Sequence, residues 1–78
     1  MPTALTINGY RFFFYANEGT EPPHVHVSKA GATGKWWVSP VKRAWHDGFS
    51  PPQRAFIERT IRENEGPILE QWASFHNR

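Results

Sequence analysis

"YRFFFYANEGTEPPHVHVS", residues 10–28, holds two runs of strand-forming residues around a turn-rich middle, and its reading decides the fold. In the first run, residues 10–15, strand alternation puts Tyr10, Phe12 and Phe14 on one side and Arg11, Phe13 and Tyr15 on the other. A strand apolar on both faces is either covered twice or offers one face to a partner. In the middle, Asn17, Gly19, Pro22 and Pro23 disfavour regular pairing and mark a loop. The last run alternates cleanly: Val25 and Val27 are expected in the core, with His24, His26 and Ser28 facing outward or into a cleft.

Working outward, Gly31 and Gly34 mark the next turn, and "KWWV" (35–38) reads as a third strand. Adjacent Trp36 and Trp37 point to opposite faces, so at most one belongs to the core of a two-layer domain. "SPVKRAWHDG" (39–48) reads as a short strand with Val41, Arg43 and Trp45 on one face; the alternative is a helical turn in which Val41 meets Trp45. "FSPPQ" then starts a helix, with Ser50 as N-cap, Pro51 at the first helical position and Gln53 completing a capping box. Ile57, Ile61, Asn64, Ile68, Trp72 and Phe75 recur at helical spacing, but Gly66-Pro67 interrupts them. Two helices are predicted, 51–64 and 67–76, or one sharply bent at Gly66. The expected fold is α+β, a single domain over 1–78: a small antiparallel sheet of three or four strands followed by C-terminal helices packing on one face.

A 78-residue chain builds one core, and 12 aromatic residues (four Trp, six Phe, two Tyr) bury much area from few positions. The absence of cysteine excludes a disulfide framework and any thiolate metal site. The N-terminal residues do not resemble a signal peptide, and no apolar run approaches the ~20 residues that span a bilayer. No membrane association and a cytoplasmic location are therefore expected. The formal net charge is only +2, yet no acidic side chain lies between Glu21 and Asp47. Lys29, Lys35, Lys42 and Arg43 fall in that interval, together with His24, His26 and His46. A polyanion could dock there, or the cations form an ordinary solvated surface.

"MPTALTINGYRFFFYANEGTEPPHVHV", with "KWWVSPVKRAWHDGFSPPQ" and "ILEQW", resembles the DUF4160 family over almost the whole chain. These are small bacterial and archaeal proteins that share the pattern Y-R-F-F-F-Y-x-N-E-G-x-E-P-P-H-x-H-V. Members often stand beside another small protein, an arrangement similar to toxin–antitoxin pairs, so the resemblance implies a cognate small protein encoded nearby. The chain departs from the family at Gly66-Pro67, where relatives run on as helix.

His24 and His26 sit roughly 6–7 Å apart along a strand and project from one face. Pro22 and Pro23 restrict the backbone that enters it. A metal site needs a third ligand, which would be Glu18, Glu21, His46 or Asp47; the sequence fixes none, so no metal and no cofactor is assigned. For acid–base chemistry the catalytic set is His26 as base, His24 as acid, and Glu18 or Glu21 orienting a ring, with Arg11 or Lys35 as the cation for RNA cleavage. H-V-H-V-S is similar to the nucleotide-hydrolysing histidine-triad motif, but Ser28 stands at its third histidine and the match is rejected. Binding without chemistry would use Arg11, Lys35, Trp36, Trp37, Lys42 and Arg43, with Trp45 in the same interval, for single-stranded nucleic acid or a protein interface. The structural alternative has His24 and His26 bonded to the Asn17-Glu18 loop as a latch, His46 as turn scaffold and His76 exposed. The expected function is a component of a toxin–antitoxin-like pair, acting on or binding RNA through the His24/His26 face. The alternative is a non-catalytic module that binds a protein partner through its aromatic sheet face. Catalysis itself and homodimer formation stay open at this stage.

Overall fold

The computed structural model describes residues 3–76. Five strands come first: β1 (Thr3–Ile7), β2 (Tyr10–Phe13), β3 (His24–Lys29), β4 (Ala32–Val38) and β5 (Val41–Asp47). Two helices follow, α1 (Pro51–Glu63) and α2 (Glu65–His76). The strands form one antiparallel sheet in chain order, β1-β2-β3-β4-β5. The fold is thus α+β as the sequence predicts, with five strands instead of three or four. The additional strand is β1, joined to β2 by Asn8-Gly9 with φ of 50° and 81°. Both values lie in the left-handed region that a tight hairpin turn requires and that Asn and Gly tolerate.

The helix-bearing face of the sheet is the core. Phe12, Val25, Val27, Trp36 and Val38 are fully buried there against Ile57, Ile61 and Ile68, with Tyr10, Phe14, Phe49 and Trp72 completing the cluster. Tyr10, Phe12 and Phe14 share this side, as alternation predicts. Trp36 lies over Gly34: a Cβ built at Gly34 would stand 2.5 Å from the Trp36 ring and 3.0 Å from the Trp45 carbonyl oxygen. The Trp36 indole N–H donates to Glu58 on α1 at 3.1 Å, so its one polar atom is satisfied.

Helix α1 starts as its sequence dictates. The Gln53 backbone N–H donates to the Ser50 hydroxyl, and the Ser50 N–H donates to the Gln53 side chain. The helices are interrupted at Asn64 and not at Gly66-Pro67 as expected, because α2 begins at Glu65 and contains both residues. Asn64 ends α1 by donating its N–H to the carbonyls of Thr60 and Ile61, and its own carbonyl accepts from Ile68. Pro67 thereby falls in the first turn of α2, where a missing N–H costs no helical bond.

Strand β5 corrects the sequence reading of its faces. Lys35 pairs with Trp45 but Trp36 pairs with Arg43, leaving Ala44 as an extra residue on β5. Val41 and Arg43 therefore share one face, while Trp45 moves to the other with Lys42. No helix among the described residues is long and apolar enough to cross a membrane.

Candidate functional site

The face turned away from the core carries the histidines. Directly opposed residues of antiparallel strands share a face, so the register defines three rows across it. Phe13, His26, Lys35 and Trp45 make the central row. His24, Trp37 and Lys42 lie on one side of it; Arg11, Ser28, Thr33 and Asp47 lie on the other.

The loop between β2 and β3 folds over one end of this face. A 3-10 turn at Ala16–Glu18 carries Glu18, and its carboxylate reaches both histidines. Nε2 of His24 and Nε2 of His26 each lie 2.7 Å from the same oxygen, Oε1 of Glu18. Nδ1 of His24 lies 3.0 Å from the Pro22 carbonyl, so the diproline backbone also fixes the rotation of that ring. Glu21 is displaced from the cluster: its Oε1 is 4.0 Å from His24 Nδ1 and accepts from Lys35 Nζ at 2.6 Å.

The rings are walled in, which corrects the expectation that they face outward or into a cleft and matches the alternative in which they bond to the Asn17-Glu18 loop. His24 has no exposed surface and His26 is 6% exposed. Around His26 stand Tyr15 edge-on at 4.5 Å, Phe13 stacked at 5.7 Å and Trp45 at 6.5 Å between centroids. Trp72 from α2 lies 4.8 Å from His24, and Trp37 lies 5.5 Å away edge-on. Tyr15 and Phe13 are legible by alternation in residues 10–15. Trp72 is not, because only the tertiary packing of α2 brings it here.

Burial alone pushes the Glu18 carboxyl up, but the two ring donors and their charge outweigh it, and its pKa is lowered. Burial pushes the His26 imidazole down more than the Glu18 carboxylate raises it, with His24 and Lys35 adding to the decrease. The favoured state therefore pairs an ionised Glu18 with a neutral His26 that donates its Nε2–H. Two rings ending on one carboxylate oxygen are a latch or a ligand cluster rather than a separated acid and base.

The remaining predicted residues divide. Lys35 lies 4.7 Å above the half-buried Trp37 ring, and Lys42 and Trp45 are exposed, Trp45 by 47%. Arg11 donates to the Thr3 hydroxyl at 2.8 Å with its guanidinium 4.6 Å from the Phe13 ring centre. Trp36 and Arg43 do not belong with them. Trp36 is in the core, and Arg43, opposite it, projects from the helix-bearing face, so neither shares the face of Lys35, Trp37 and Lys42. Of the suggested third ligands, only Glu18 reaches the histidines. His46 sits opposite Gly34, on the core side, with its Nδ1 buried and lacking a hydrogen-bond partner among the described residues. His76 is not the exposed residue expected: its ring lies 3.1 Å from both the Trp72 and Tyr15 carbonyls.

Fold and site together define a small α+β protein whose five-strand meander carries a histidine–carboxylate cluster beside a basic aromatic strip. Residues 9–73 match the family described as Domain of unknown function (DUF4160), and the chain belongs to that family. No curated protein and no solved structure matches it.

Proposed function

We propose that this protein binds single-stranded RNA on the sheet face that carries His24 and His26, as one component of a toxin–antitoxin-like pair. The observation that carries the reading is the grouping of Lys35, Trp37, Lys42 and Trp45 on that face by the β5 bulge. Aromatic rings interleaved with cations suit unstacked bases and the phosphates between them, each stacked base contributing about 1–3 kcal/mol. Arg11 extends the positive strip towards β1. The pairing with a second small protein follows from what the family resemblance implies. The buried histidines support the platform from within, and cleavage is not part of the proposal.

Titration of a short single-stranded RNA against tryptophan fluorescence tests it. Affinity should fall with salt, the log–log slope being roughly −0.7 per neutralised phosphate. Lys42→Ala should flatten that slope by about one such increment. Salt-independent or undetectable binding would sink the proposal.

A second reading rests on the position of β5. It is one of the two edges of the sheet, with Lys42, Arg43, Ala44 and Trp45 exposed in succession, and a protein partner could add a strand there. Under that reading Trp45→Ala breaks a protein complex, and RNA leaves the tryptophan emission unchanged.

A further inference from the structure

We infer that His24 Nε2, His26 Nε2 and Glu18 Oε1 form a binding site for one divalent transition-metal ion of the zinc type. The inference stands apart from RNA binding, since it concerns the cluster beneath the strip rather than the strip. The three donor atoms lie within 4.8 Å of one another. They come from two elements, β3 and the 3-10 turn, so the fold and not one local motif assembles them.

Geometry fits an ion of this size. Zinc bonds of about 2.0–2.2 Å in a tetrahedral site place neighbouring donors roughly 3.3–3.5 Å apart. Both His–Glu separations are 2.7 Å, so Glu18 needs to withdraw by less than about 1 Å. It can do so, because its side chain is 22% exposed on a loop while the histidines are fixed in a strand.

Proton accounting at His24 points the same way. Its Nδ1 faces the Pro22 carbonyl and its Nε2 faces the Glu18 carboxylate, both of them acceptors. Satisfying both takes either two ring protons or an Nδ1–H together with a cation at Nε2. A metal-bound histidine commonly donates its other N–H to a backbone carbonyl, which fixes the tautomer and the ring plane. Two imidazoles and one carboxylate suit zinc and its neighbours, whereas magnesium and calcium take oxygen donors. Three protein ligands leave a fourth position for water.

The test uses the full chain stripped with a chelator, with Zn²⁺ alone as titrant and Co²⁺ as the spectroscopic substitute. One ion per chain, with visible ligand-field absorption from Co²⁺, is expected. Glu18→Gln, its fold checked by near-ultraviolet dichroism, should weaken Zn²⁺ binding by at least about tenfold, whereas His46→Gln should not. Should Glu18→Gln fail to fold, the unmodified protein decides: on adding Zn²⁺ the imidazole nitrogen resonances of His24 and His26 should both shift, and those of His46 should stay. No saturable binding, equal affinity in folded Glu18→Gln, or unmoved His24 and His26 resonances would each overturn the inference.

Discussion

Lys42 and Trp45 lie on the same face of the sheet although three positions separate them, because Ala44 bulges out of the β4–β5 pairing. Without that extra residue strict alternation would send Trp45 to the helix-bearing side with Arg43. The bulge is what gathers a cation and a large exposed ring beside Lys35 and Trp37. Trp45→Ala should therefore lower RNA affinity by about 1–3 kcal/mol, the contribution of one stacked base. Its melting temperature should change little, since the ring is half exposed and stands outside the core cluster. Fluorescence titration and thermal denaturation of the same variant check both halves.

Gly34 is required by the ring above it rather than by its backbone. Gly34→Ala places a methyl group against Trp36, whose indole is held on the other side by Glu58. Overpacking of this kind costs about 1–3 kcal/mol. Urea denaturation should show a lower midpoint with little change in slope, whereas unchanged stability would mean that the Trp36 ring shifts freely.

Glu18 joins the loop to β3. Replacing it with alanine removes a charged acceptor from two buried rings, at a cost of roughly 1.5–3 kcal/mol. Glu18→Gln should retain part of that stability, because its amide oxygen still accepts one ring N–H. Equal losses in the two variants would show that a neutral amide oxygen retains nothing of the carboxylate's contribution. Both are best compared with chelator present, by urea denaturation.

Acid should loosen the protein. The His26 pKa is lowered in the folded state, so between its folded and unfolded values only the unfolded chain holds the proton, and stability falls as pH drops through that window. The Glu18 pKa is also lowered; its contribution is present above the unfolded value and is lost as pH falls through the folded one. The two effects have the same sign and follow in sequence. In chelated buffer the melting temperature should decline from neutral pH into the acid range, and Glu18→Gln should remove the lower part of the decline.

Much of this was legible in the residues. The alternation of Tyr10, Phe12 and Phe14, the opposition of Val25 and Val27 to the histidines, and the cap at Ser50 are local physics, and each recurs in the structure. Strand β1 was equally open to reading, since Asn8-Gly9 between "TALTI" and "YRFF" is a strong hairpin signal. The bulge was not: "KRAWH" alternates as well with Ala44 paired as without, and only the register against β4 decides. Nor could the sequence choose Glu18 over Glu21 for the histidines. That choice depends on the 3-10 turn, which directs Glu18 inward and leaves Glu21 to Lys35. Gly66-Pro67 looked like a gap because proline breaks a helix interior, yet as part of a first turn it begins one.

The four tryptophans supply the most direct test of the proposed RNA face. Trp37 and Trp45 lie on that face, whereas Trp36 and Trp72 are packed in the core. In heteronuclear NMR spectra, a short single-stranded RNA should shift the indole N–H resonances of Trp37 and Trp45 in a saturable way and leave that of Trp36 in place. Unmoved resonances for Trp37 and Trp45, or shifts confined to the helices, would contradict the account.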